Sequence, residues 1–147
     1  RALARFQGGK RRMEILASCE DYVIYDDFAH HPTEILKTLS SLREKIGNDQ
    51  IIALIEPRSR TMQSGLHDKE MVKALSPADS VIWYEGQDVK RSMSAELKKA
   101  KAEVYFAANI SEIIQITRQI KTTKSNIVIM SNGDFSGLRE LIKKELD

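Results

Sequence analysis

What this sequence has little of sets the first limits on it. A single cysteine, Cys19, among 147 residues leaves no partner for an internal disulfide and suits a reducing compartment. No apolar run approaches the roughly 20 residues a membrane-spanning helix needs, and the basic start is not followed by the apolar stretch of a secretory signal, so a cytoplasmic protein is expected. Neither sign of charge is in excess: 23 Lys and Arg against 21 Asp and Glu leave a formal charge of +2, which argues against a dedicated nucleic-acid binder. Two nucleotide-binding signatures are missing. A phosphate-cradling G-x-x-x-x-G-K-[ST] loop fails because Gly9-Lys10 is followed by Arg11 and Ala4 stands at the first glycine position. No G-x-G-x-x-G follows a strand, which removes the dinucleotide fingerprint. There is no internal repeat, low-complexity tract or linker. The first residue is Arg1 rather than methionine, from which a piece of something larger is expected.

What is present reads as one domain with a substantial core, spanning residues 1–147. Strand-like and helix-like stretches alternate. Residues 11–18 alternate loosely and 22–25 are apolar, which predicts a hairpin. A helix begins at Pro32, whose fixed φ suits the first helical position, with Glu34 in its first turn and Ile35, Leu36, Leu39 and Leu42 at helical spacing. Gly47-Asn48-Asp49 stops it. The continuous apolar run 51–55 predicts a strand covered on both faces and ended by Glu56-Pro57. One or two helices over 61–75, a strand at 80–84, a charged helix over 94–101 and a strand at 103–107 follow. A helix capped by Asn109 or Ser111 comes next, with a buried stripe of Ile113, Ile116 and Ile120, then a strand at 127–130 and a last helix over 138–146. This alternation predicts an α/β fold: a Rossmann-like, mostly parallel sheet with helices on both faces, opened by a β-hairpin.

The chain is organised around Tyr25-Asp26-Asp27-Phe28-Ala29-His30-His31-Pro32-Thr33-Glu34-Ile35, a strand that gives way to a helix. In an open parallel sheet such a junction lies at the carboxyl edge, where ligands bind, and it would present Asp27, His30 and His31 together. Two plainer readings stand beside this one. The aspartates are ordinary turn residues and His31 is an ordinary helix cap. Alternatively Asp26, Asp27, His30, His31 and His67 form a hydrolase metal site, although adjacent residues on a strand point to opposite faces and so cannot easily share one ion.

The string YDDFAHHPTEI resembles the start of the C-terminal domain of the Mur ligases, the ATP-dependent amide-forming enzymes of peptidoglycan synthesis. EPRSRTM at 56–62 and MSNGDFSG at 130–137 agree in order, and FQGGKRRME at 6–14 is similar to the family's entry into this domain. The resemblance implies the third domain of a three-domain enzyme. The phosphate-binding loop and magnesium ligands would then lie in a central domain, and UDP-N-acetylmuramate would be held mainly by an N-terminal one. ATP and Mg2+ are the implied cofactors. By resemblance, Arg12 and Asp27 meet ATP, with Asp27 accepting from the ribose, and His30 and His31 line the cleft. Arg58 stands where the family presents an arginine to the carboxylate of the incoming amino acid or peptide, and Ser131, Asn132, Gly133 and Phe135 resemble another part of that pocket. No catalytic residue and no metal ligand is implied in this domain.

Within the family, the strings are most similar to the branch that joins the tripeptide L-Ala-γ-D-Glu-meso-diaminopimelate to UDP-N-acetylmuramate in peptidoglycan recycling. The branch that adds L-alanine is the alternative, and a metal-dependent hydrolase or a binding module without catalysis lies further off. Asp134 and Ser136 stand where glycines are expected in the tripeptide branch, and Arg60 where asparagine is expected. The implied partners are ATP, the tripeptide and UDP-N-acetylmuramate, with neither nucleic acid nor membrane. Alone, the fragment is expected to be inactive.

Overall fold

The computed structural model describes residues 12–57, 65, 67–86 and 92–146. Six strands form one sheet: β1 (Glu14–Ser18), β2 (Tyr22–Asp27), β3 (Gln50–Ile55), β4 (Ser80–Tyr84), β5 (Glu103–Ala107) and β6 (Ser125–Met130). Their order across the sheet is β1-β2-β6-β3-β4-β5. β1 runs antiparallel to β2 as the predicted hairpin, and every other pairing is parallel. In the hairpin the register passes from Ile15 opposite Tyr25 to Ala17 opposite Ile24, so Leu16 is an extra residue that bulges the edge strand.

Strand residues alternate between two cores, as the pleat requires. Ile51, Ala53 and Ile55 of β3 pack with Ile35, Leu39 and Leu42 of α1 (Pro32–Ile46), Met71 of α2 (Asp68–Ala74) and Leu97 of α3 (Ser94–Leu97). Ile52 and Leu54 pack on the other face with Ile113 and Ile114 of α4 (Ile110–Ile120) and Leu138 and Ile142 of α5 (Leu138–Glu145). Covered on both faces, β6 is buried at every position, which explains the apolar run 127–130 that follows its polar start at Ser125 and Asn126. Burying each aliphatic side chain of this kind stabilises the fold by about 1.5–3 kcal/mol before entropy is counted.

The opening of α1 follows its sequence closely. His31 is extended (φ −96°, ψ 146°) and its Nδ1 accepts from the Thr33 amide at 3.3 Å, while Glu34 Oε1 accepts from the amides of His30 and His31 at 3.4 Å each. The helix stops at Gly47, where φ is +72°, a value that costs glycine nothing. Arg43 then ties the helix end to the sheet's amino edge. Its guanidinium donates to the carbonyls of Gly47 (2.8 Å), Asp49 (2.7 Å) and Pro77 (2.9 Å) and to Asp79 Oδ2 (2.7 Å).

Two expectations need correction. The charged helix predicted over 94–101 ends at Leu97, because only Leu97 of α3 is buried and the lysine-rich turn beyond it has no apolar stripe to dock. The buried stripe of α4 is Ile113, Ile114 and Thr117, with Ile116 and Ile120 only half-buried at its flank. Thr117 fits there because its hydroxyl donates to the Ile113 carbonyl at 2.7 Å. Of the predicted 61–75 helical region, only α2 and its flanks lie within the described residues.

Candidate functional site at the carboxyl edge of the sheet

The strands β2, β6 and β3 end level with one another. Asp27 pairs with Met130 and Met130 with Ile55, and the ladder runs one step further through Ser131 N to Asp27 O (3.2 Å) and Glu56 N to Met130 O (3.1 Å). Asp27, Ser131 and Glu56 therefore meet at one edge, delivered from three distant parts of the chain. Asp26 and Asp27 point to opposite faces, as their adjacency on a strand requires. Asp26 pairs with Arg139 of α5, whereas Asp27 turns toward α1.

Asp27 is only 2% exposed. Its Oδ2 accepts from the Met13 amide at 2.9 Å and its Oδ1 from the Ala29 amide at 2.8 Å, so one carboxylate fastens both the entry to β1 and the turn after β2. Burial raises its pKa above the ordinary carboxylate value. The two amide bonds and the Arg12 charge pull the other way, and Asp26 adds to the rise. Met13, held by this bond, has a left-handed φ of +50°, a strained value for a residue with a side chain.

Arg12 and Asp27 line the same groove, of about 610 Å³, between the hairpin and α1. Its floor is apolar, from Met13, Ile15, Tyr25 and Leu42, and its rim carries Glu34, Lys37, Thr38 and Lys45. Of the polar groove residues on α1, the sequence reading named Glu34 as a first-turn acid but not Lys37, Thr38, Ser41 or Lys45. Glu34, Thr38, Ser41 and Lys45 recur at helical spacing beside the buried Ile35, Leu39 and Leu42, which is the signal that marks them.

His30 and His31 do not line this groove. His30 Nδ1 lies 3.3 Å from the Phe28 carbonyl and 3.7 Å from Glu34 Oε1. His31 caps α1 and meets His67 edge to face, with ring centroids 4.8 Å apart, and His67 Nδ1 lies 3.2 Å from Glu70 Oε1. The three histidines thus sit with their own partners at the helix starts. Among the described residues, no group of three or more His, Cys, Asp or Glu is placed to hold a metal ion.

The residues 131–137 form the other side of the edge. Ser131 is fully buried, its hydroxyl donating to Glu56 Oε1 at 2.5 Å and accepting from the Gly133 amide at 2.9 Å. Phe135 is also fully buried, its ring 5.5 Å from that of Tyr84. Both side chains turn inward in this arrangement. They shape the loop, and the half-buried Asn132 and Gly133 are what it offers. Arg58 and Arg60 lie outside the described residues.

A mostly parallel, two-faced α/β sheet with a groove between its β1–β2 hairpin and α1, reaching Asp27 at the end of β2, is the frame these observations define. The chain belongs to the Mur ligase family: the family model described as "Mur ligase, glutamate ligase domain" matches residues 11–133. It is 34% identical over 147 residues to the UDP-N-acetylmuramate–L-alanyl-γ-D-glutamyl-meso-2,6-diaminoheptandioate ligase of Haemophilus influenzae, covering 99% of this chain and 32% of that protein. It is 47% identical over 139 residues to the UDP-N-acetylmuramate–L-alanine ligase of Streptococcus agalactiae, covering 90% of this chain and 30% of that protein. A solved structure of a murein peptide ligase from Psychrobacter arcticus superposes with a TM-score of 0.83 at 32% identity, over 93% of this chain and 30% of the other. The chain therefore spans about a third of the length of the curated relatives it matches. Among the described residues, no helix is long and apolar enough to cross a membrane.

Proposed function

We propose that this chain is the C-terminal domain of an ATP-dependent ligase that joins the tripeptide L-Ala-γ-D-Glu-meso-diaminopimelate to UDP-N-acetylmuramate in peptidoglycan recycling. The observation that carries the reading is the placement of Arg12 and Asp27 on one groove at the carboxyl edge, within a chain similar over nearly its whole length to a ligase of that name. Residues 1–147 would be one of three domains, the other two holding UDP-N-acetylmuramate, the phosphates and Mg2+. ATP, when bound, supplies the phosphoryl group that activates the carboxylate to be joined. The residues here fit its nucleoside end: each oxygen of Asp27 keeps a lone pair beyond the amide it already accepts, enough for a ribose hydroxyl, and the exposed Arg12 guanidinium suits an anion. On the other side of the edge, Asn132 and Gly133, with Arg58, would meet the peptide. The domain's contribution is to orient both substrates and exclude water on closure, with no proton transfer of its own.

A second reading, a ligase that adds L-alanine, is supported by the 47% identity to the streptococcal protein. The test is a ligase assay of the full-length protein with ATP, Mg2+ and UDP-N-acetylmuramate, offering tripeptide and L-alanine in separate reactions. Amide formation with tripeptide alone is the expected result, turnover with L-alanine alone would establish the second reading, and turnover with neither would sink both. Residues 1–147 alone should turn over neither substrate.

A further inference from the structure

The turn that closes the 131–137 loop is strained. Phe135, Ser136 and Gly137 have φ of +53°, +52° and +78° in succession, and only the third is a glycine. A left-handed residue with a side chain is disfavoured, and two in a row persist only where their surroundings hold them. Asp134 accepts the Gly137 amide on its Oδ2 at 3.1 Å, and Phe135 is sunk in the core beside Tyr84. The remaining restraint comes from Arg139, in the first turn of α5. Its Nη1 donates to the Asp134 carbonyl at 2.8 Å, and its Nε lies 2.9 Å from Asp26 Oδ1. The Nε–H does not point along that contact, so the bond to Asp26 is chiefly Coulombic, between side chains only 13% and 2% exposed.

Both ends of the loop are thus fastened to the end of β2. Ser131 is bonded to the Asp27 carbonyl, and Asp134 is tied through Arg139 to Asp26. Between the anchors lie Asn132 and Gly133, the half-buried crest of the loop. Asp27, which faces the groove, is the next residue after Asp26. We propose that Arg139 is a positioning residue: by clamping the strained turn to Asp26 it fixes the height and orientation of the Asn132–Gly133 crest relative to the Asp27 side of the edge, and so sets affinity for the incoming peptide. The peptide-side role rests on the ligase reading given above. The clamp itself rests only on the distances and φ values.

The test uses the full-length protein with Arg139→Gln, Ser136→Gly and the two combined. Arg139→Gln removes the charge and the fork, and the KM for peptide should rise about tenfold or more while the KM for ATP stays within about twofold. Glycine at position 136 adopts the left-handed turn without strain, so Ser136→Gly in the Arg139→Gln background should recover most of the lost peptide affinity. A residue that merely supports the fold would shift both KM values together, and the glycine would restore both together. If Arg139→Gln does not fold, Asp26→Asn/Arg139→Gln, which leaves no buried charge unpaired, takes its place in the same comparison. In parallel, amide hydrogen exchange at Gly133 and Gly137 should quicken in Arg139→Gln and slow again in the combined variant. Equal changes in both KM values, or no rescue by Ser136→Gly, would overturn the peptide-side role. Unchanged exchange at both glycines would overturn the clamp. A wild-type protein without ligase turnover fails the ligase reading and the peptide-side role with it, and the exchange rates then still decide whether Arg139 holds the turn.

Discussion

Ser131 Oγ sits 2.5 Å from Glu56 Oε1, joining the ends of β6 and β3 inside the protein. The same oxygen accepts the Gly133 amide, so one hydroxyl satisfies a buried carboxylate and starts the loop that follows. Ser131→Ala should therefore cost more than a surface serine would. It leaves the Glu56 carboxylate without this donor, a loss of about 1–3 kcal/mol that chemical unfolding of wild type and variant will read. Ser131→Thr is not an equivalent replacement, since the site has no exposed surface to take the extra methyl group.

Asp27 gives a prediction in pH. Its pKa is raised in the folded protein, so between the unfolded value of 3.8 and the higher folded one the native state binds more proton than the unfolded state. The stability contributed by this group is then fully present below the unfolded pKa and is lost as pH rises through the folded one. In Asp27→Asn that dependence disappears. The stability difference, wild type minus variant, should fall as pH is raised from about 4 through this window, measured by urea unfolding at stepped pH. A difference that grows with pH would mean that the amide bonds and Arg12 outweigh burial. The same variant also loses an acceptor, because an asparagine oxygen can serve Met13 or Ala29 but not both.

His31 separates capping from ligand binding. Its Nδ1 holds the Thr33 amide, so His31→Ala should lose about 1 kcal/mol of stability and His31→Asn, a good cap, should recover nearly all of it. Because His31 stands off the groove that Arg12 and Asp27 share, neither variant should change the KM for ATP in the full-length protein by more than about twofold. A large rise in both variants would bring the ring to the nucleotide.

At the opposite edge, Arg43→Lys keeps the charge but cannot reproduce a fork that reaches Gly47, Asp49, Pro77 and Asp79 together. A loss of about 2–3 kcal/mol is expected from the broken bonds, with no effect on either substrate's KM. Thermal unfolding and steady-state kinetics of the full-length protein check the two halves of that statement.

The sheet was legible because its strands announce themselves. A run such as 51–55, five apolar residues between turn residues and a proline, reads as a strand covered on both faces, and Pro32 with Glu34 marks a helix start to the residue. The opposite orientations of Asp26 and Asp27 followed from strand geometry alone. What the sequence hid lies in tertiary contacts. The sequence does not show that Ser131 would be spent on Glu56, from 75 residues away, or that Phe135 would turn into the core. Arg139 looks like one more solvated cation in a basic helix until α5 is laid across β2. The two histidines invite a ligand by their chemistry, yet local hydrogen bonds to Thr33 and Phe28 engage them at the helix start. Short-range competition of this kind carries no periodic signal.

The position of β6 has a consequence for how the chain is made. It is the last strand in the sequence, yet it lies between β2 and β3, pairing with both. Until residues 125–130 have emerged from the ribosome, the β1–β2 hairpin and the β3–β4–β5 half have no ladder joining them. Ile24, Ile52 and Leu54 then lack the neighbours that bury them. The nascent domain must wait in two apolar-edged pieces for its central strand, and a chain that stops short of residue 125 is left with two open sheet edges facing each other, the arrangement most prone to pair with another copy.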